Sequence, residues 1–156
     1  MDINKMTLKV QNIIERAQQE AVGLKLQSIE LEAVLKAMLT ADESMASDIL
    51  TRANINAEEI IEEYDRKLKT YNAVTGDSVE YGVYMSNGFS RLYNNAEKKM
   101  TEMEDTFISQ EHILLAALEE DSILKEAVGN KDEIIKEIVK KIRGGNHVTT
   151  QNPENQ

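Results

Sequence analysis

Few side chains in this sequence have the types and spacing that catalysis or metal binding requires. His112 follows Glu111, but a metal site needs further ligands close by, and the only other histidine is His147 near the C-terminus. Cysteine is absent, which excludes disulfides, thiolate zinc sites and cysteine nucleophiles. We therefore predict no metal site, and we interpret His112 as a half-buried residue that caps the start of a helix.

Neighbouring carboxylates are the second feature that could indicate chemistry, here acid–base catalysis. They occur at Glu58-Glu59, Glu62-Glu63 and Glu119-Glu120-Asp121. With 28 acidic residues in 156, such neighbours are expected by chance and do not indicate a catalytic pair. Serine and threonine nucleophiles have no base at a recognisable spacing, and no G-x-x-x-x-G-K-[ST] phosphate loop occurs. The sequence predicts no catalytic residue, no cofactor and no enzymatic activity for this chain.

The charge and hydropathy patterns exclude further classes. The net charge of −10 repels phosphate backbones, which argues against a nucleic-acid partner. The longest apolar run is Ile113 to Leu118, far short of the ~20 residues that cross a membrane. The first residues, Met1 to Lys5, lack the apolar region of a signal peptide. We expect a cytoplasmic domain that binds neither membrane nor nucleic acid.

The elements that must position these side chains are helices. The single proline is Pro153, and glutamate, lysine, alanine, leucine and isoleucine are abundant, which predicts an all-α fold. Apolar residues recur at helical spacing, beginning with Val10, Ile13, Ile14 and Ala17. Eight helices are predicted over 7–22, 30–40, 44–54, 57–70, 86–104, 110–119, 121–128 and 131–143. The basic residues of the last helix are interpreted as complementing its dipole: Lys136, Lys140, Lys141 and Arg143.

The chain repeats itself. A shift of 79 residues places Thr7 on Ser86 and Glu32 on Glu111, and later a shift of 74 places Asn56 on Asn130. Thr7 and Ser86 each precede a helical stripe, where a hydroxyl can cap the helix. Asn56 with Glu59, and Asn130 with Glu133, have the spacing of a capping box. These matches predict a duplicated four-helix unit.

The repeat divides the chain into four parts. Repeat one is predicted over 6–68, an irregular connector over 69–84, repeat two over 85–143, and a flexible linker over 144–156. The first three parts form one domain, 1–143, with two four-helix units related by a pseudo-twofold axis and a groove at their seam. Met6 and Met85 hold equivalent positions and are interpreted as plugs of the core between the repeats. The isolated domain is expected to be a monomer.

The repeated segments carry a family resemblance. Residues 108–118, I-S-Q-E-H-I-L-L-A-A-L, resemble the pattern I-x-x-E-H-L-L-L-A-L-L of the N-terminal repeat domain of Clp-type AAA+ ATPases. The opening segment 1–7 and the final segment 142–154 resemble those of the B-type members, the ClpB disaggregases. Repeat one departs from the family pattern, with Glu32-Ala33 where Glu-His is common and Leu26-Gln27 where Gly-His is common.

The resemblance implies a fold and a function. A Clp N-terminal domain sits on a linker above a hexameric ring of ATPase modules, which bind ATP and Mg and are absent from this chain. It captures unfolded or aggregated polypeptides, or an adaptor protein, for a chaperone of the stress response. Two alternatives stay open: the N-domain of a ClpC-type unfoldase that receives adaptors for a protease, and a stand-alone regulatory protein built from the same repeat.

The resemblance also suggests residues for peptide or adaptor binding. Thr7, Asp105 and Glu111 match polar family positions at helix N-termini, and Glu32 is the repeat-one mate of Glu111. Capping alone is the alternative for these four. Phe89 and Leu92 are predicted to add apolar wall to the groove, with a place in the core as the alternative.

Overall fold

The computed structural model describes residues 1–153 and confirms the all-α prediction. A short 3-10 helix, Ile3–Lys5, comes first. The α-helices are α1 Leu8–Gly23, α2 Leu31–Thr40, α3 Met45–Arg52, α4 Ala57–Leu68, α5 Asn87–Glu102, α6 Gln110–Glu120, α7 Ser122–Val128 and α8 Asp132–Arg143. Two short strands, β1 Ser28–Ile29 and β2 Tyr84–Met85, pair in parallel. Within the described residues, none of these helices has the length and apolarity needed to cross a membrane. The last three residues of the predicted linker, 154–156, lie outside this range.

Hydroxyl caps start the first helix of each repeat. Thr7 Oγ1 accepts a hydrogen bond from the backbone N–H of Val10 at 3.3 Å, and Ser86 Oγ accepts one from Phe89 at 3.0 Å. Each bond satisfies one of the N–H groups that the first turn of a helix leaves without a partner. The two helices also end alike, since Lys25 and Glu104 have positive φ angles of 59° and 58°. The shift of 79 therefore holds from the start of α1 and α5 to their ends.

The repeats exchange backbone hydrogen bonds. The segment before α5 pairs with the segment before α2, which places Met85 opposite Ile29. The segment before α1 pairs with the segment before α6, which places Met6 opposite Ile108. These two pairings are pseudo-twofold mates, because the shift of 79 places Met6 on Met85 and Ile29 on Ile108. They join the repeats through main-chain bonds, and Met6 and Ile29 are buried between them. This confirms the pseudo-twofold arrangement of two four-helix units.

The second half of the repeat follows a shift of 75 residues, so the predicted shift of 74 is wrong by one. Burial decides the register: Ile60 and Ile135 are both buried, whereas Ile134 is 49% exposed. A consequence is that Asn130 does not cap α8. Lys131 precedes that helix and makes no side-chain cap. In the other copy the cap is present, since Asn56 accepts from the N–H of Glu59 at 3.3 Å.

The connector crosses the edge of repeat one that precedes α2. The N–H of Val74 donates to the carbonyl of Lys25 at 3.0 Å, and that of Gly82 donates to the carbonyl of Leu26 at 2.9 Å. Gly82 has a φ of 68°, and a Cβ there would lie 2.9 Å from the Cγ of Gln18. Only glycine fits both conditions without strain. The connector is thus fastened along its length before it enters β2.

A buried hydrogen bond links α4 of repeat one to α7 of repeat two. Tyr64 donates its hydroxyl to Asp121 Oδ2 at 2.6 Å, and the same oxygen accepts from the N–H of Leu124 at 2.9 Å. Burial raises the pKa of the Asp121 carboxyl, against the opposing effect of the Tyr64 hydrogen bond. Asp121 thus caps α7 and anchors it to the first repeat at once.

We predict that Tyr64→Phe lowers the free energy of unfolding by about 1–3 kcal/mol, because a buried carboxylate loses its donor. Urea denaturation followed by circular dichroism measures this. The matched control is Tyr84→Phe, at a tyrosine that is 61% exposed, which should leave the stability unchanged. Equal stability of Tyr64→Phe and the unmodified chain would contradict the anchoring role.

Candidate functional site

A cluster of polar and charged side chains is buried where α6, α8 and the loop before α6 meet. We call Asp105, Glu111, His112 and Arg143 the Asp105 cluster. Asp105 Oδ1 accepts from Arg143 Nη2 at 2.7 Å, and Arg143 Nη1 donates to Glu111 Oε1 at 2.9 Å. The other Asp105 oxygen lies 2.6 Å from His112 Nε2. The side chains of Asp105 and His112 are fully buried, and that of Arg143 keeps only 12% exposure.

Asp105 is held as a carboxylate in this setting. Burial alone would raise its pKa, but hydrogen bonds from Arg143, from the N–H of Val148 and from His112 outweigh burial and hold the pKa below 3.8. Burial likewise opposes the charge on Arg143, and its two carboxylate partners raise the pKa of the guanidinium above its ordinary value. The cluster therefore contains a fully charged, buried ion pair.

His112 is neutral and has a defined tautomer. Its Nδ1 accepts the backbone N–H of Ser109 at 2.8 Å, so the proton of the neutral ring sits on Nε2 and is donated to Asp105. Burial lowers the pKa of His112 below 6.5, although the nearby carboxylates of Glu111 and Asp105 oppose that shift. The predicted capping role is confirmed. The prediction of a half-buried side chain is wrong, because α6 lies in the core and His112 has no exposed surface.

Ser109, His112 and Asp105 form a hydrogen-bonded chain that resembles a catalytic triad in composition. Ser109 Oγ lies 3.1 Å from His112 Nδ1. That nitrogen already uses its lone pair to accept the Ser109 N–H, so it cannot take the hydroxyl proton as a general base. All three side chains are also closed to solvent. The arrangement caps a helix and offers no nucleophile to a substrate.

The other predicted binding residues also make internal contacts. Thr7 is fully buried and caps α1, and Glu32 Oε1 accepts the hydroxyl hydrogen bond of Tyr71 at 2.8 Å. Burial, together with this bond to Glu32, raises the pKa of Tyr71 above its ordinary value. Phe89 and Leu92 belong to the apolar core. Repeat one thus satisfies its buried glutamate with a tyrosine from the connector.

The six predicted residues therefore do not converge on one surface site. Asp105 and Glu111 meet through Arg143, whereas Glu32 lies with Tyr71 in the other repeat. All six are buried. Thr7 makes the cap that was its alternative role, and Phe89 and Leu92 belong to the core. The three carboxylates do not cap a helix and bind other partners within the domain instead. Direct contact with a peptide or adaptor stays a prediction for all six.

The sequence did not reveal the role of Arg143 in the Asp105 cluster. Arg143 was interpreted as complementing the dipole of the last helix. The shift of 75 places Arg143 on Leu68, a buried position of repeat one. The shift of 79 places Asp105 and His112 on Leu26 and Ala33, which are also buried. Three buried apolar residues in one repeat thus correspond to a polar trio in the other: a carboxylate, a neutral imidazole and a guanidinium. The correct register, applied to the sequence, would have predicted burial for Arg143.

A surface depression lies along α1, where no site was predicted. This α1 cleft has a volume of about 610 Å³ and runs between the outer face of α1 and residues 40–42. Arg16 forms its rim and donates to the carbonyl of Ala37 at 3.2 Å and to Thr40 Oγ1 at 3.1 Å. Its polar lining from α1 recurs at helical spacing, which is the signal in the sequence: Asn12, Glu15, Arg16 and Gln19.

The predicted groove at the seam between the repeats is present but smaller. It has a volume of about 360 Å³ and lies where the start of α4 meets α7 and the start of α8. Glu59, Glu63 and Glu126 line it, and Lys131 crosses it to donate to the carbonyl of Ala53 at 3.1 Å. Within residues 1–153, no group of three or more histidine, aspartate or glutamate side chains is arranged to hold a metal ion.

The chain after α8 is attached to the domain, which differs from the predicted flexible linker. We call residues 146–151 the tail segment. The N–H of Val148 donates to Asp105 Oδ1 at 2.8 Å, and its carbonyl accepts from the N–H of Thr106 at 2.8 Å. The carbonyl of Gln151 accepts from the N–H of Leu8 at 2.7 Å. Polar composition predicts mobility only where the backbone groups have no partner in the fold, and here they have partners.

Comparison with known proteins shows the family. The model of the Clp repeat N-terminal domain matches residues 5–131. The ClpB chaperone of Staphylococcus aureus (strain COL) is 49% identical over 154 residues, which is 99% of this chain and 18% of the chaperone. The chain thus spans less than a fifth of the length of the curated relatives it matches.

Solved structures share the fold at low sequence identity. The Hsp104 N-terminal domain from Candida albicans superposes with a TM-score of 0.77 at 20% identity, covering 94% of this chain and 97% of that one. A second solved structure carries the description "Peptide from EAEC T6SS Sci1 SciI protein". One of its chains superposes with a TM-score of 0.76 at 12% identity, covering 96% of this chain and 94% of that one.

We predict that acidification destabilises the domain through His112. Because its pKa is below 6.5 in the fold, the unfolded chain takes up the proton first. The contribution of neutral His112 to the free energy of unfolding is complete above about pH 6.5 and is lost as the pH falls toward the lowered pKa. Urea denaturation should show a free energy of unfolding up to about 1 kcal/mol lower at pH 5.5 than at pH 8. The control variant His147→Gln, at an exposed histidine, should keep this pH dependence. Loss of the pH dependence in His147→Gln would contradict its assignment to His112.

The caps at the two equivalent helix starts give a matched pair of variants. Thr7→Ala and Ser86→Ala should each lower the free energy of unfolding by about 1 kcal/mol, because each leaves an N–H of the first turn without its acceptor. Thermal melting measures both. If Thr7→Ala kept full stability yet lost polypeptide binding, the binding role suggested by the resemblance would replace the capping role.

Proposed function

This chain belongs to the family of Clp repeat N-terminal domains, and we propose that it is the docking domain of a ClpB-type protein disaggregase. Its partners are unfolded or aggregated polypeptides, or an adaptor protein that carries them. The identity of 49% to the ClpB chaperone extends over 99% of the chain and supports the ClpB type. The complete protein is then a cytoplasmic hexamer whose ATPase modules bind ATP and Mg, and this domain contributes binding alone.

The observation that carries the proposal is the α1 cleft. Its volume of about 610 Å³ is within the range of ligand-binding clefts, and it is open along one side of a helix. The cleft borders residues of both repeats, because Gln110 of α6 closes one end. Gln110 is itself fixed, since its Oε1 accepts the N–H of Ala46 at 3.3 Å. A preformed cleft on a rigid scaffold loses little entropy when an extended segment binds.

The lining of the α1 cleft suits a polypeptide of variable sequence. Asn12 and Gln19 carry amides that both donate and accept, so they can bond to any peptide backbone. Lys9 and Arg16 add two positive charges, and Glu15 and Asp42 add two negative ones. The net charge of −10 favours segments flanked by lysine or arginine.

One of the fold neighbours comes from the structure that is described as a peptide from the SciI protein. This association with a peptide supports a docking role for domains of this shape. The neighbour shares only 12% identity with this chain, so its peptide gives no guide to sequence preference.

Binding of an unfolded model protein tests the proposal. Calorimetric titration with casein should show weak binding by the unmodified chain, and Asn12→Trp should weaken it at least tenfold by filling the α1 cleft. The matched control is Asn94→Trp, which adds the same bulk to an exposed position of α5.

Two outcomes would count against the proposal. Equal weakening by Asn12→Trp and Asn94→Trp would remove the α1 cleft from the binding surface. Absence of casein binding by the unmodified chain at high concentration would exclude direct capture and leave adaptor docking as the function.

A further inference from the structure

We propose that the groove beneath the tail segment is a second polypeptide-binding site, which residues 146–151 occupy in cis and which another extended segment takes when they lift. The proposal rests on the proposed docking function and adds a second surface, a class of ligand and a means of regulation to it. The tail segment itself shows what such a ligand must offer.

The polar recognition of the tail segment is largely recognition of backbone. Asp105 Oδ1 accepts the N–H of Val148, Thr106 donates to the carbonyl of Val148, and Leu8 donates to the carbonyl of Gln151. Two side chains of the tail segment add contacts. The amide of Gln151 donates to the carbonyls of Asn4 at 3.1 Å and Met6 at 3.3 Å, and His147 Nδ1 lies 3.1 Å from the carbonyl of Met103. Every extended polypeptide carries the same N–H and C=O groups, so the three backbone bonds do not depend on sequence.

Side-chain burial defines the preferred ligand. Val148 is only 7% exposed, whereas its neighbours His147 and Thr149 are exposed. One residue inward between two outward residues is the alternation of an extended chain. The site therefore selects a segment with a single small branched apolar residue between polar ones, and valine meets this description.

The groups that hold the tail segment stay in place when it lifts. Leu8 is the first residue of α1, and its N–H has no partner within that helix. Thr106 and Asp105 are fixed by the loop before α6 and by Arg143. Lifting the tail segment leaves two donors and part of a carboxylate without bonds in the protein, which favours binding of a replacement segment.

Repeat one covers the equivalent edge with the connector. The N–H of Val74 donates to the carbonyl of Lys25 there, and the N–H of Gly82 donates to the carbonyl of Leu26. In repeat two the cover is the tail segment, which follows α8 through Gly144 and Gly145. Glycine permits wide changes of backbone angle, so rotation at these two residues lets the tail segment lift while α8 stays in place.

Competition between cis and trans segments tests the proposal. The ligand is a fluorescein-labelled peptide with the sequence of residues 146–153. The test variant of the protein is Val148→Asp, whose charged side chain cannot be buried. The control variant is Thr149→Asp, at an exposed position. Fluorescence anisotropy should show the peptide binding at least tenfold more tightly to the Val148→Asp chain than to the unmodified or Thr149→Asp chains, because the cis segment competes at high effective concentration. A labelled peptide that itself carries Val148→Asp should not bind any of them.

Equal peptide binding by the Val148→Asp, Thr149→Asp and unmodified chains would overturn the proposal, as would equal binding of the two peptides. Thermal melting verifies that the Val148→Asp chain is folded, and Val148→Ala replaces it if it is not. Casein titration of the unmodified chain keeps the two proposals distinct. Normal casein binding with a negative peptide result removes the second site alone, whereas a lack of casein binding with a positive peptide result removes the α1 cleft alone.

Discussion

The ion pair between Asp105 and Arg143 determines how the C-terminal half of this domain is assembled. A carboxylate that is removed from water needs its charge balanced and its oxygens hydrogen-bonded, and each partner here comes from a different part of the chain. Arg143 brings the end of α8, His112 brings the start of α6, and Val148 brings the tail segment. One buried charge thus brings three elements to a common point, and each of them supplies one of its hydrogen bonds.

The repeats show two physical solutions for one position in the fold. Repeat one places Leu26, Ala33 and Leu68 where repeat two places Asp105, His112 and Arg143. Apolar packing is non-directional and tolerates shifts, whereas the polar trio is satisfied only at defined distances and angles. The apolar residues lie beneath the connector. The polar residues lie beneath the tail segment, and Asp105 fixes its position through the N–H of Val148.

Local signals in the sequence predicted much of the fold, and long-range contacts account for what they missed. Eight helices and the caps at Thr7 and Ser86 follow from spacing within a few residues. The register of α8 was missed because the identical triplets at 59–61 and 133–135 favour a shift of 74, while burial of Ile60 and Ile135 requires 75. The contacts of Arg143 and Val148 were missed because their partners lie 38 and 43 residues away. The α1 cleft depends on the placement of residues 40–42 beside α1, which no local pattern encodes.

The bonds from Gln151 to Asn4 and Met6 bring the two ends of the described chain to the same pole of the molecule. Leu8, the first residue of α1, donates its N–H to the carbonyl of Gln151 at this same pole. The α1 cleft begins one residue further on, at Lys9, and extends along the helix to Gln19. The cleft therefore opens beside the point where the two ends of the described chain meet.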